Sequence, residues 1–171
     1  VASNDTAGRF EFATTAQGSG VPALRARIDV DGIKFGSDTA AANGLSDYEE
    51  GTWTPAVYQA GWGITGVIAH YTKIGNMVHI TCDCSITGSG NGNDMRISGL
   101  PFSSIANGYA SGSGYTQYYP SAQNGSNAHF TPYTNSSSTL LSFHNGNGAV
   151  YDGDRFSAGY LNFAVTYFTA S

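Results

Sequence analysis

Between Met77 and Thr87 every second residue is apolar. Val78, Ile80, Cys82, Cys84 and Ile86 alternate with His79, Thr81, Asp83 and Ser85. A two-residue period places the apolar set on one face of an extended strand, because successive Cβ atoms point to opposite sides of a sheet. The period recurs near the C-terminus, where Leu161, Phe163, Val165 and Tyr167 alternate with Asn162, Ala164 and Thr166. No segment sustains the three-and-four spacing of an amphipathic helix, and 23 glycines interrupt the chain. The chain is therefore expected to be all-β.

The same reasoning predicts strands at 9–12, 24–30, 33–35, 53–58, 64–71, 77–87, 95–97, 108–113, 115–119, 128–133, 139–144 and 155–168. Asp31-Gly32 and Lys73-Ile74-Gly75-Asn76 read as turns, since Gly and Asn tolerate positive φ. A glycine-rich loop is expected at 88–93, and Pro101, which has no N–H for a ladder, ends the following strand. Many short strands between turn residues indicate an antiparallel β-sandwich or jelly roll. The first 44 residues differ. They hold short strand pieces with little to build a core, followed by the linker-like Thr39-Ala-Ala-Ala-Asn-Gly44. A boundary is expected near Leu45, with 1–44 a thin segment that identical chains complete and 45–171 the main β domain.

Only 11% of residues are charged, against a norm of about 25%. Ser, Thr, Asn and Gly must supply the wetted surface. The net charge is -5, with no basic cluster to neutralise phosphates, so nucleic acid is not expected as a partner. There is no long apolar run to span a membrane. The Val1 end is polar and mixed, unlike a signal peptide, and the chain is expected to be a fragment or a processed product. Cys82 and Cys84 are expected as buried free thiols, because two residues apart on one strand face they are badly placed to bond each other. A chain without disulfides suits assembly in a reducing compartment.

Catalytic constellations are weak. Serines abound, but no Gly-x-Ser-x-Gly elbow lies between a strand and a helix. His70, His79, His129 and His144 have no metal-ligand spacing, and neither cysteine completes a ligand set, so no metal and no cofactor are expected. Asp152-Gly153-Asp154 reads as a turn before the last strand, with Ca²⁺ coordination a secondary reading. Glu49 and Glu50 are adjacent and would point opposite ways in an extended chain. One carboxylate is expected to accept backbone N–H bonds or an arginine instead. Trp53 is expected in the core or an interface ahead of a stacking role.

From Ser98 to Tyr151 there is no Asp, Glu, Lys or Arg. Tyr109, Tyr115, Tyr118, Tyr119, Tyr133 and Tyr151 lie in this stretch, with Ser, Asn and Gln interleaved. Tyrosine offers rigid amphipathic area, and small polar residues offer adaptable hydrogen bonds, which is the chemistry of binding loops. Tyr109, Tyr115, Gln117, Tyr118, Tyr119, Asn124, Asn127 and Tyr133 are the candidate contact residues. One of the neighbours Tyr118 and Tyr119 should face out. The competing reading packs these rings between sheets or across an oligomer axis.

The segment Leu45-Ser-Asp-Tyr-Glu-Glu-Gly-Thr-Trp-Thr-Pro55 resembles a block of many bacteriophage tail fibres and tailspikes, where it opens a C-terminal β domain. Tyr71-Thr-Lys-Ile-Gly-Asn-Met-Val78 and Ile97-Ser-Gly-Leu-Pro-Phe102 resemble two further blocks of that family, in the same order. Asp31-Gly-Ile-Lys-Phe35 and Asp38-Thr-Ala-Ala-Ala42 resemble its approach to the domain. The resemblance covers 31–102 and is general in character beyond it. It makes Glu49, Glu50, Trp53, Lys73, Gly75 and Pro101 scaffold residues. It implies a virion-attached fibre tip, assembled as a homotrimer in the host cytoplasm, joined to the rest of the phage tail and contacting a host surface glycan or other receptor without catalysis. The alternative is a trimerisation or virion-decoration domain that binds no receptor. A depolymerase finds no support in any triad or acid pair.

Overall fold

The computed structural model describes residues 8–88, 92–117, 127–144, 150 and 159–170, with 117 and 127–129 placed by backbone alone. It is all-β, with only a single turn of 3₁₀ helix at Ala41–Asn43 among the described residues. The chain forms two compact units, Val1–Tyr48 and Glu49–Ser171.

The first unit is a three-stranded antiparallel sheet of β1 (Phe10–Thr14), β2 (Ala23–Asp29) and β3 (Gly32–Phe35). Its register places Phe10, Ile28 and Ile33 in one cross-strand row, and Phe12, Ala26 and Phe35 in the next. Glu11, Arg27 and Lys34 form a row on the opposite face. Burial is inverted relative to an ordinary sheet. Lys34 and Arg27 are buried, whereas Phe10, Phe12 and Phe35 are exposed at 73%, 56% and 69%.

Both buried cations face carboxylates. Lys34 Nζ donates to both Asp29 carboxylate oxygens at 3.1 Å and to Asp31 Oδ2 at 2.5 Å, and Arg27 Nε lies 3.0 Å from Asp29 Oδ2. The bond to Asp31 and those to Asp29 hold the Lys34 ammonium above its ordinary pKa against the pull of desolvation. Desolvation works to raise the Asp29 carboxyl. The hydrogen bonds from Lys34 and the Asp31 N–H, with the charges of Lys34 and Arg27, outweigh it and leave Asp29 below its usual range.

The second unit is built on a 10-stranded antiparallel sheet. Its strands are β4 (Tyr48–Thr52), β5 (Ala56–Val57), β6 (Trp62–Ile74), β7 (Met77–Gly88), β8 (Arg96–Ser98), β9 (Ala110–Ser111), β10 (Ser113–Gln117), β11 (Asn127–Thr134), β12 (Leu141–His144) and β13 (Gly159–Phe168). The order is β4-β6-β7-β13-β10-β11-β12-β8-β5, with β9 beside β11. The sheet curls so that its halves face each other, as in a sandwich or jelly roll. Phe143 of β12 meets Phe163 of β13 edge-on at 5.4 Å, Phe130 meets Phe143 at 5.1 Å, and Trp53 meets Phe163 at 6.4 Å. Val78, Ile80, Cys82, Cys84 and Ile86 are buried from one side, Leu161, Phe163, Val165 and Tyr167 beside them. Both cysteines are free thiols in this core.

Two strand expectations change. The strand expected at 53–58 shrinks to Ala56–Val57. Trp53 still donates its N–H to Ala69 of β6, but Pro55 has no N–H, and the chain crosses there from β6 to β8. The strand expected at 108–113 is split into Ala110–Ser111 and, after Gly112, the start of β10 at Ser113. Gly108 N–H instead closes a turn onto Ile105. Tyr48–Thr52 is a strand the alternation did not announce. The 73–76 turn forms as expected, with Ile74 paired to Met77 and Gly75 at φ +59°.

Candidate functional site

Residues 49–55 of the first matching block, with 71–78 and 97–102, converge on one corner of the second unit. Lys73 Nζ lies 3.4 Å from Glu49 Oε1 and 5.2 Å from the centroid of the Phe102 ring. Tyr71 packs edge-on against Phe102 at 5.5 Å. The glutamate partner is thus a buried lysine, where an arginine or backbone N–H was expected. Trp53 is buried and its Nε1 donates to the Thr81 carbonyl at 3.1 Å, which places it in the core. Glu50 is exposed on β4, beside a shallow depression of about 370 Å³ that it lines with His70 and Tyr71. Pro101 is half-buried next to buried Leu100. Tyr167, from the last strand, reaches the same corner. Its hydroxyl donates to the Phe102 carbonyl at 2.9 Å, and burial pushes that hydroxyl up to about 12 against the lowering effect of the bond it accepts from the Phe102 N–H. All of this is packing and hydrogen bonding that joins β4, β6, β8 and β13.

The candidate contact residues divide into separate places. Tyr109 is 60% exposed and stacks on half-buried Tyr133, centroids 5.8 Å apart and planes 19° apart. The Tyr133 ring also meets His144 at 4.9 Å. These rings form a short aromatic ladder with Tyr109 at its wet end. Tyr115 lies on a different strand, β10, paired with Asn162 of β13 and His129 of β11. Gln117 pairs with Tyr160 and Asn127 through its backbone. Tyr118, Tyr119, Tyr151, Asn124 and the Asp152–Asp154 pair lie outside the described residues.

The structure adds Tyr160, Asn162 and Asp83 beside Tyr115. Together they line a depression of about 250 Å³. Asn162 Nδ2 donates to Asp83 Oδ2 at 3.5 Å. A signal for them existed. The alternation of β13 puts Tyr160 and Asn162 opposite the buried Leu161 and Phe163, and Asp83 occupies the outward position between two cysteines. What the alternation does not carry is that β7, β13 and β10 are neighbours.

Cys82 hydrogen-bonds Cys84 and is buried, and both effects push its thiol far up. His79 Nδ1 and Thr166 Oγ1 are 2.9 Å apart on the outer face. Among the described residues no group of His, Cys, Asp or Glu is placed to hold a metal ion. Comparison with protein-family models, with curated proteins and with solved structures returns no match for this chain.

Proposed function

We propose that this chain is a non-enzymatic attachment domain of the phage tail-fibre type, which assembles as a homotrimer and binds a host surface receptor through the outer face of its second unit. The carrying observation is the inverted sheet of the first unit. Arg27 and Lys34 of its charged row are buried against Asp29 and Asp31, and its apolar rows face solvent, with no buried apolar residue among the described residues of that unit. Such a sheet has no core of its own, so something must cover it whenever the chain folds.

Copies of the same chain are the occupant this face suits. At roughly 200 Å² per ring, Phe10, Phe12 and Phe35 present about 400 Å² of exposed apolar area. Ile28 and Ile33 extend that face toward the roughly 800 Å² per partner of a stable interface. The face carries no charge, so copies of a chain with net charge -5 can meet there without repulsion. The convergence of Glu49, Lys73 and Phe102 supports the resemblance to fibre tips, because it gives the three matching blocks one shared structural role. The reading as non-enzymatic rests on the burial of both thiols.

The test is the native mass of the chain together with whole-cell adsorption. The expected mass is that of three copies, and Phe10→Asp with Phe35→Asp is expected to lower it to one. A monomeric parent chain would overturn the proposal. A trimer that adsorbs to no host cell would leave the purely structural alternative, a trimerisation or decoration domain.

A further inference from the structure

The outer face of β7, β13 and β10 is polar and aromatic. Antiparallel register sets Asp83, Asn162 and Tyr115 in one row across the three strands. Tyr160 and Ser85 belong to the next row, and Thr81, Ala164 and Ser113 to the row on the other side. Cys82, Cys84, Leu161, Phe163 and Thr116 fill the inner face. Alternation therefore turns Tyr115 and Tyr160 outward, where they are 37% and 53% exposed. They are diagonal neighbours on adjacent strands, a relation that spans about 7–8 Å and lies within reach of aromatic side chains.

A groove runs across this face. One depression of about 250 Å³ is lined by Asp83, Tyr115, Tyr160 and Asn162. A second of about 270 Å³ is lined by Ser113, Gly114, Tyr115, Asn162 and Ala164. They share Tyr115 and Asn162, so a ligand extending from one enters the other. Beneath them, Gly114 leaves its place to the Phe130 ring, which an added Cβ would strike.

The chemistry narrows the ligand. Two phenol rings offer flat apolar faces with polar edges. Asn162 keeps a carbonyl acceptor and a second N–H, and the Asp83 carboxylate keeps unfilled lone pairs. A saccharide presents both counterparts, C–H faces for the rings and adjacent hydroxyls for the amide and carboxylate. Among the described residues no Lys or Arg lines either depression, and Asp83 repels an anion. We propose that this groove binds a neutral oligosaccharide, one sugar ring against Tyr115 and Tyr160 with hydroxyls on Asn162 and Asp83, the next beside Ser113. The inference rests on the attachment reading above and names its receptor class.

The probes are immobilised neutral gluco-, galacto- and manno-oligosaccharides beside hyaluronan and polysialic acid, offered to the full chain. Binding is expected to at least one neutral series and to neither polyanion. Tyr115→Ala and Tyr160→Ala should each weaken it roughly tenfold, the loss of one stacking contact. Tyr115→Phe, which keeps the ring, should bind nearly as the parent and guards against loss of fold. Native mass is recorded on the same samples. A trimer that binds only polyanions, or that adsorbs to cells without binding any neutral series, overturns the groove and leaves the attachment reading standing. Unchanged binding in both alanine variants likewise removes the groove. A monomer overturns the attachment reading itself.

Discussion

The Tyr167 hydroxyl holds both backbone groups of Phe102. It donates to the Phe102 carbonyl at 2.9 Å and accepts from the Phe102 N–H at 3.4 Å. One side chain of the last strand thereby pins the end of the 97–102 segment, and Tyr71 and Lys73 then pack on the ring of the residue so held.

Tyr167→Phe removes both bonds and leaves the half-buried Phe102 N–H and C=O without that partner. A loss of about 1–3 kcal/mol in unfolding free energy is expected, with a matching fall in Tm and no change in oligomeric mass. The substitution also alters alkaline behaviour. Burial raises the hydroxyl to about 12 from its ordinary 10. Its stabilisation is therefore complete below pH 10 and is lost as pH rises toward 12. Denaturant melts across that range should show a steeper decline in the parent than in Tyr167→Phe. Parallel declines would show that the hydroxyl is not the group responsible.

The alternation of Met77–Gly88 and Gly159–Phe168 made the inner face legible residue by residue, including the free thiols of Cys82 and Cys84. The Gly75 hairpin was legible because its turn chemistry is local. β4 was not, because an edge strand reading Tyr-Glu-Glu-Gly-Thr carries no apolar period. The inverted first sheet was half legible. Phe10, Phe12 and Phe35 alternate visibly, but only the ion pairs of Asp29 with Arg27 and Lys34 show that these two cations are the covered residues. The proposed groove was least legible, since Tyr115, Asn162 and Asp83 come from distant segments and meet through strand order.

Gly99 and Gly75 both adopt positive φ, at +90° and +59°, yet their surroundings differ. At Gly75 an added Cβ meets nothing within 4 Å. At Gly99 it would strike the Thr54 carbonyl oxygen, where the 97–102 segment crosses the chain leading into β5. Gly75→Ala should cost about 1–2 kcal/mol, the penalty of left-handed backbone alone. Gly99→Ala should cost clearly more, because the β5–β8 pairing must also shift. Chemical denaturation of the two variants checks the order. Equal losses would mean that the crossing is looser than its geometry implies.

The buried ion cluster sets a pH window for the first unit. Asp29 is depressed below its ordinary 3.8, so its contribution is present above that pH and disappears as pH falls through the lower folded value. Lys34 is raised above its ordinary 10.5, so its contribution is present below that pH and disappears as pH rises through the higher folded value. Between these limits the sheet should be insensitive to pH. An NMR titration of the Asp29 carboxyl carbon should give a midpoint under 3.8. Lys34→Met removes the largest lowering influence on Asp29 while desolvation stays, so the midpoint should move up. The same variant leaves Asp29 with Arg27 as its remaining charge partner in the cluster, and the first unit should then loosen at neutral pH, read as faster amide exchange in β2 and β3. A midpoint unmoved by Lys34→Met would place the control of Asp29 in its bond from the Asp31 N–H rather than in the buried ammonium.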